Sequence, residues 1–234
     1  MRRLILFLFL FLASTSLSCA ASESSMWSGL TSQQQELLSS GKPLVIEECV
    51  AGNPWPRYTV YMLVKASSAQ SAAVFWDCEL DPKYVPNCLS VHLVGTPQPW
   101  IREAEYTLKM PMMLPNEVYV SRNEIHAEEI PGVYEVSWNV LRASYIKGSK
   151  GNLRIEPFGN GSDQEHRSLL RYTNLVMPGS SIAGLLQSMA RSEVIQSVKA
   201  LCTQIEQERA SDSQLLDRQL HEMTRMIKSI PKGK

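Results

Sequence analysis

The sequence has no excess of either charge, since 23 lysines and arginines balance 23 aspartates and glutamates. A protein whose main partner is nucleic acid needs a basic surface, so this balance argues against nucleic acid as a partner. Beyond residue 12 there is also no apolar run approaching the ~20 residues that a membrane-spanning helix needs. With 44% hydrophobic residues among 234, the composition instead suits one globular domain with short additions.

Motifs for metal-dependent or nucleophilic catalysis are missing too. The four histidines form no H-E-x-x-H pattern and no two cysteines have C-x-x-C spacing, so we expect neither a metal nor a cofactor. Gly179–Ala183 lies one residue from the G-x-S-x-G pattern of a nucleophile elbow, but only two aspartates and His221 follow it, on a charged tail. Ser180 or Ser181 is better explained as a helix N-cap, and we predict no catalytic residue.

The first residues have the three-part plan of a secretory signal peptide. Arg2 and Arg3 precede nine apolar residues, Leu4–Leu12, and small residues follow. We therefore expect residues 1–20 to be removed and the protein to be exported, to the periplasm if its source is bacterial. The surroundings of Cys19 resemble a bacterial lipoprotein signal, so a lipid anchor on Cys19 and simple secretion are both open.

Four cysteines remain in the expected mature chain, Cys49, Cys78, Cys88 and Cys202, and they allow three pairings. An oxidising compartment permits disulfides, yet cysteines are also common core residues, so bonded and free thiols are both compatible with the sequence. If a disulfide forms, we expect Cys78–Cys88, because both residues flank one short connection.

Hydrophobic periodicity predicts an antiparallel sheet accompanied by helices. Strands joined by short turns cannot be parallel, because parallel neighbours need long crossovers, and the resulting class is α+β. Lys147–Gly151 is predicted as a turn from its glycine and lysine content. The predicted helices are Met26–Ser40 in part and Ser68–Trp76; the predicted strands are Leu44–Val50, Arg57–Lys65, Leu89–Val94, Trp100–Met110, Glu117–His126, Gly132–Ile146, Asn152–Glu156 and Leu169–Met177.

The segment after Pro178-Gly179 carries two apolar stripes that point in different directions. One stripe contains Leu185, Leu186 and Met189; the other contains Val194, Val198, Leu201 and Ile205. At about 100° per residue these stripes lie more than a quarter-turn apart. We therefore predict a short helix to about Arg191, a kink, and a longer helix to about Glu208.

A separate tail helix is predicted after residue 210. Ser211-x-x-Gln214 is a capping-box pattern, and apolar residues recur every three or four positions from Leu216 to Ile230. The chain thus divides into a linker with a short helix at 22–41, a main domain at 42–209 and an appended helix and tail at 210–234. Truncation after Ala210 is expected to leave a folded domain.

Several short segments occur in a fixed order between about residues 36 and 208. They are Leu37-Leu38-Ser39-Ser40-Gly41, Phe75-Trp76-Asp77, Tyr84-Val85-Pro86-Asn87, Val136-Ser137-Trp138, Gly151-Asn152-Leu153, Glu156-Pro157, Tyr172 and Pro178-Gly179-Ser180-Ser181-Ile182. In their order and spacing they resemble the START superfamily, which includes polyketide cyclase/dehydrase-like lipid-transport domains.

This resemblance implies a helix-grip fold, in which a curved antiparallel sheet wraps around a long, kinked C-terminal helix and leaves an apolar cavity between them. It implies a domain that binds, or binds and transports, a lipid or other hydrophobic small molecule, with transient membrane contact. The alternative is a cyclase-like enzyme that uses the same cavity. The type of ligand does not carry over, because the first part of the last helix, Gly184–Ser188, lacks the family's usual residues.

The cavity wall is predicted from strand alternation. On Gly132–Ile146 the more apolar set points inward, namely Tyr134, Val136, Trp138 and Val140. Trp138 could equally be plain core. Alternation puts Arg142 on the same face, where it would meet a ligand carboxylate or phosphate or else pair with a neighbouring acid. The predicted ligand-binding residues are Tyr106, Trp138, Val140, Arg142, Tyr172, Leu185 and Met189.

Overall fold

A computed structural model of the chain describes residues 26–111, 114–127, 131–159, 166–179, 183–211 and 213–231. The predicted signal peptide, Cys19 and the predicted capping residues Ser180 and Ser181 lie outside these ranges. Within them, no helix combines the length and the apolar character needed to cross a membrane.

Every predicted strand is present, and so are the predicted helices at Met26–Ser40 and Ser68–Trp76, with most ends shifted by a few residues. The elements in chain order are α1 Ser32–Ser39, β1 Leu44–Glu48, β2 Arg57–Val64, α2 Ser68–Trp76, a 3-10 helix Cys78–Lys83, β3 Cys88–Gln98, β4 Ile101–Leu108, β5 Glu117–Ala127, β6 Tyr134–Ala143, β7 Ile146–Pro157, β8 Ser168–Pro178, α3 Ala183–Ser211 and α4 Ser213–Ile227.

The eight strands form one antiparallel sheet in the order β1-β2-β8-β7-β6-β5-β4-β3. The β1–β2 hairpin lies at one edge, and the chain then crosses through α2 and the 3-10 helix to β3 at the other edge. From β3 each strand pairs with the next until β8 reaches β2, where Val60 lies opposite Tyr172. The predicted α+β class is therefore confirmed.

Capping explains where the two short helices start. Thr31 and Gln34 form a capping box at α1, and Ser67 and Gln70 form another at α2, each side chain accepting a hydrogen bond from the other residue's backbone N–H. A glycine with φ of +78°, Gly41, follows α1, as expected for a residue that ends a helix in the left-handed region.

The main core lies between the inner face of the sheet and helices α2, α3 and α4. Alternate residues of β2 and β8 supply its sheet side, while α1 covers the opposite, outer face around Leu38 and Leu169. The fully buried core side chains include Val60, Val64, Val74, Val136, Leu153, Ile155, Leu170, Ile205 and Met223.

The predicted turn at Lys147–Gly151 is wrong, because these residues form the first half of β7. The turn instead lies at Ser144 and Tyr145, whose backbone N–H groups donate to the Glu117 carboxylate. Glycine within a strand often marks a place where another group approaches the backbone, and Gly151 is such a place. Composition alone could not separate this use of glycine from a turn.

The segment that was predicted as two helices forms one helix, α3, from Ala183 to Ser211. Both apolar stripes are covered because different parts of the helix meet different partners. Leu186, near its start, is buried over the inner face of the sheet, while Val198, Leu201 and Ile205 pack into the main core.

Helix α4, Ser213–Ile227, is packed into the main core. Leu216, Met223 and Met226 are buried there with residues of α2 and the sheet. Gln219 donates to Asp77 at 3.0 Å, and Arg102 on β4 pairs with Glu222 at 2.6 Å. Because three buried apolar side chains would be removed with α4, we no longer expect truncation after Ala210 to leave a stable domain.

All four cysteines in the described ranges are free, including the expected pair Cys78 and Cys88. These two thiols share a small buried cluster with Val91 and Ala104. Burial raises the pKa of each thiol to about 12, so both stay protonated at neutral pH. The structure therefore assigns Cys78 and Cys88 a packing role and not a crosslink.

Candidate functional site

A cavity of about 350 Å³ lies between α3 and the inner face of the sheet. Seven strands that are neighbours in the sheet each contribute to its lining, in the order β2-β8-β7-β6-β5-β4-β3. At a spacing of about 4.8 Å these strands would span ~29 Å if the sheet were flat. A flat sheet of that width could not surround one such cavity, so the shared lining requires the sheet to curve around it.

Aromatic rings form much of the cavity wall on the sheet side. Trp138 on β6 lies between Tyr172 and Phe75, with ring centroids 4.9 Å and 6.2 Å away. Tyr106 and Tyr119, on the neighbouring strands β4 and β5, are stacked at 4.9 Å with an angle of 4° between their planes. Aromatic pairs in these arrangements contribute ~0.5–1.5 kcal/mol beyond the burial of their area, so the rings of this wall stabilise one another.

Gly151 fixes the position of the Trp138 ring. A Cβ atom at Gly151 would lie 2.5 Å from Cζ2 of Trp138 and would also collide with the carbonyl oxygen of Thr173 on β8. Only glycine therefore leaves room for the indole beside β7. Gly151, which was predicted to lie in a turn, therefore helps to shape the sheet side of the cavity.

Helix α3 forms the opposite wall with aliphatic side chains, Leu186, Met189, Val194, Val198 and Leu201. Its first half is held over the sheet by two polar contacts at the surface. The Asn87 amide donates to Glu193 at 2.7 Å, and Arg191 pairs with Glu47 on β1. Each contact joins α3 to a different side of the sheet.

Asp81, in the 3-10 helix, places a carboxyl group in the cavity wall. It accepts a hydrogen bond from the Tyr84 hydroxyl at 2.7 Å. Burial raises the pKa of Asp81 to about 7, more than this hydrogen bond lowers it. Burial also raises the pKa of Tyr84, Tyr106 and Tyr119 well above the usual tyrosine value, so their hydroxyls remain protonated hydrogen-bond groups.

Glu117, at the start of β5, is a second buried acid in the lining, but it already has partners. It accepts hydrogen bonds from the backbone N–H groups of Ser144 and Tyr145, at 2.7 and 3.0 Å. These bonds favour the charged form, although burial still raises the pKa of Glu117 overall. Glu117 thus stabilises the β6–β7 turn, and Asp81 is the acid with capacity left for a ligand.

Most of the predicted wall residues line the cavity; their role in ligand binding stays a prediction. Those in the lining are Tyr106, Trp138, Val140, Tyr172 and Met189. Leu185 lies in α3, but its side chain is outside the described part of the structure.

Arg142 is the exception among the predicted residues: it lies on the outer face of the sheet. The register between β5 and β6 shifts after Val140, which pairs with Ser121, so that Arg142 pairs with Val120. This β-bulge reverses the alternation that put Arg142 beside Val140. The exposed Arg142 side chain instead pairs with Glu105 at 3.1 Å.

Sequence reasoning missed Asp81, Tyr84 and Tyr119. No functional role is predicted above for the segment around Asp81, which contains Pro82 and Pro86. A three-residue spacing in a 3-10 turn brings two side chains to the same side, so Asp81 and Tyr84 carried a detectable signal. Tyr119 gave no such signal, because β5 places Tyr119, Ser121 and Asn123 inward and more apolar residues outward.

Comparison with known structures defines the fold. Over 70% of its length the chain is similar to 94% of a STAR-related lipid transfer protein from Xanthomonas axonopodis, with 17% identity and a TM-score of 0.61. The fold is START-like. Human STARD10 is similar over 81% of this chain and 79% of its own, with 14% identity and a TM-score of 0.56. The Zhui aromatase/cyclase from Streptomyces sp. R1128 is similar over 67% and 97%, with 13% identity and a TM-score of 0.53.

The resemblance predicted from the sequence is thus confirmed at the level of fold. No family model and no curated protein sequence matches the chain. Within the described residues of this START-like domain, histidine, cysteine and acidic side chains do not form a group of three or more that could hold a metal. What the site offers chemically is an aromatic and aliphatic cavity with one available carboxyl group.

Proposed function

We propose that this START-like domain binds a lipid or other hydrophobic small molecule in the cavity between its sheet and α3, and that it carries this ligand between membranes. The observation that carries the proposal is the cavity itself, about 350 Å³, walled mainly by aromatic and aliphatic side chains. Pockets of ~300–1,000 Å³ with such walls and a few polar groups are typical of small-molecule sites.

The size of the cavity argues that something fills it. At ~24 cal/mol per Å³, a dry cavity of this volume would lower the free energy of unfolding by about 8 kcal/mol. Whole domains are stable by only ~5–15 kcal/mol. A ligand, or water held by Asp81 and the tyrosine hydroxyls, would remove much of this cost. Among the lining residues only Asn87 and Lys109 are exposed, and they mark the open side.

Native mass spectrometry of the full chain, as purified, tests the proposal directly. We expect a co-purified hydrophobic molecule that is released by organic extraction. Met189→Trp should fill part of the cavity and weaken uptake of a fluorescent hydrophobic probe by about tenfold, a loss of ~1.4 kcal/mol. Gln187→Trp, at an exposed position two residues away on α3, is the matched control and should bind normally. A folded wild type that neither co-purifies with a ligand nor binds any probe would contradict the proposal.

Asp81 supports an enzyme as the second candidate. A carboxyl group with a pKa of about 7 inside a cavity is suited to transfer protons at neutral pH. A cyclase-like enzyme would use it as general acid or base on a polyketide-like chain held by the aromatic wall. Asp81→Asn should then abolish turnover and retain binding of the chain. If the wild type binds such a chain and returns it unchanged, the carrier function is favoured.

Export is a further part of the proposal, supported by the basic, apolar and small-residue segments at the start of the sequence. N-terminal sequencing of the expressed protein should find a start between Cys19 and Ser22, or a lipid-modified Cys19. Recovery of an intact Met1 from the exported fraction would contradict it.

A further inference from the structure

The cavity carries an asymmetry of charge that bears on which ligands it accepts. Its lining includes three acids, Asp81, Glu117 and Glu193, but among the described lining residues the single base is Lys109. Lys109 is exposed, at the open side of the cavity. The interior therefore holds negative and hydrogen-bonding groups without a cation to balance an anionic ligand.

The partners of these acids show which one a ligand would meet. Glu193 bonds to the exposed Asn87 amide at the open side of the cavity, and Glu117 is occupied by the backbone of the β6–β7 turn. Asp81 has one hydrogen bond from a side chain, from Tyr84, and a carboxylate has room for several. It borders both the main cavity and a small adjoining pocket of about 30 Å³.

Other charged groups around Asp81 do not neutralise its negative charge. Asp77 is a like charge, which disfavours a further anion nearby. Arg102 lines the small adjoining pocket, but its guanidinium donates to the Trp76 carbonyl oxygen and to Glu222, at 2.9 and 2.6 Å. Arg102 is thus already paired with a residue of α4. The nearby thiols of Cys78 and Cys88 are neutral.

We propose that the Asp81–Tyr84 pair recognises the polar end of the ligand, and that this end is a hydroxyl or an ammonium group and not a carboxylate or phosphate. The inference rests on the proposed binding function and narrows it to neutral or cationic amphiphiles. A hydroxyl donates to Asp81 and accepts from a tyrosine, and an ammonium group pairs with the carboxylate. An anion at the same place would be buried beside a like charge without a partner.

Three ligands of equal chain length, decanol, decylammonium and decanoate, test this on the full-length protein. Their affinities are measured by displacement of N-phenyl-naphthylamine. At about pH 8 we expect decanoate to bind at least ~10-fold more weakly than decanol, because a like charge in the same site disfavours the charged form of the ligand carboxylate. Decylammonium should bind at least as tightly as decanol.

Asp81→Asn should remove most of the discrimination against decanoate. Glu79→Gln makes the same change of charge at an exposed position of the same 3-10 helix and should leave the order intact. The wild type gives a second test through pH. Asp81 has a pKa of about 7, so it takes up a proton between about pH 8 and pH 6. The affinity of decylammonium relative to decanol should therefore fall over this range.

Equal binding of all three ligands, or an order unchanged by Asp81→Asn and by pH, would overturn the inference and leave the binding function standing. Tight binding of decanoate that is lost in Lys109→Gln would also overturn it, since recognition would then lie at the open side. Failure of all three ligands and of the probe to bind would remove the proposed function as well.

Discussion

The two ends of the inner sheet face are built from the same strands but packed in opposite ways. On β6, Val136 is 1% exposed within the main core, whereas Val140, on the same face, lines the cavity. On β8, Leu170 is buried, whereas Tyr172 borders the cavity. Helices α2, α4 and the second half of α3 pack on the closed end, which contains Val136 and Leu170, whereas the first half of α3 lies over the open end, which borders the cavity. The comparison indicates that one end of the sheet provides most of the buried core and that the other end provides the cavity.

Truncation after Ala210 should give the largest effect, because it uncovers the closed end. Loss of three buried side chains, Leu216, Met223 and Met226, removes ~1.5–3 kcal/mol each, or roughly 5–9 kcal/mol in all. That is comparable to the total stability of a domain, so cooperative urea unfolding followed by circular dichroism should be lost. Truncation after Ile230, which retains all of α4, is the control. A cooperative transition at the wild-type midpoint in the shorter chain would contradict the packing of α4.

Val136→Ala and Val140→Ala form a matched pair across the two ends. Val136→Ala leaves a void in a filled core and should lower the free energy of unfolding by about 2 kcal/mol. Val140→Ala enlarges a cavity that already exists and should cost less than ~1 kcal/mol. Urea unfolding of both variants measures the difference. Equal losses at the two positions would mean that the open end is packed as tightly as the closed one.

The pH dependence of stability should reveal the carboxyl group at the open end. An unfolded aspartate has a pKa of ~3.9, and Asp81 has one of about 7, so the folded state binds more protons between these values. Stability from this group is therefore complete below about pH 4 and is lost as pH rises through 7. Because Asp81 faces a space that can hold water, we expect a loss of only about 1–2 kcal/mol.

Asp81→Asn should lack this part of the pH profile, and Glu79→Gln, exposed on the same helix, should retain it. Midpoints of urea unfolding at a series of pH values give the comparison. Identical profiles for wild type and Asp81→Asn would show that Asp81 titrates normally.

Arg142→Gln should have the smallest effect. The pair with Glu105 lies on the solvent side, where an ion pair contributes ~0.2–1 kcal/mol at most. We expect a change in unfolding free energy below ~0.5 kcal/mol and no change in probe binding. Weaker binding of the probe would indicate that Arg142 faces the cavity and would contradict the bulge between β5 and β6.

The fold was predictable because its patterns are local, and the errors fell where local patterns are overruled. Alternation and capping located β2, α2 and β8 within a residue or two. The face of Arg142 depends on a single inserted residue, which leaves no mark in the hydrophobic pattern. Gly151 is needed because an indole from the next strand lies over it, a contact between residues that the sequence does not bring together.

The polar part of the site was the hardest to foresee. Asp81 appears in the sequence as one acid in a proline-rich connection, and its environment depends on rings from β4, β5 and β8. The pKa of about 7 is a product of that enclosure. By contrast Trp138 and Met189 were found from strand alternation and helical stripes, since both patterns report directly which face is covered.

The pairing of β2 with β8 limits the order in which parts of the protein can fold. Tyr58 lies opposite Asn174, so the β1–β2 hairpin waits for a partner strand that is synthesised more than 100 residues later. Pairings this distant in sequence slow folding, because the intervening chain must be ordered before they form. Nascent chains therefore expose the edge of β2 until β8 emerges, and α3 can close over the sheet only after that. The ligand cavity is among the last features of the protein to exist.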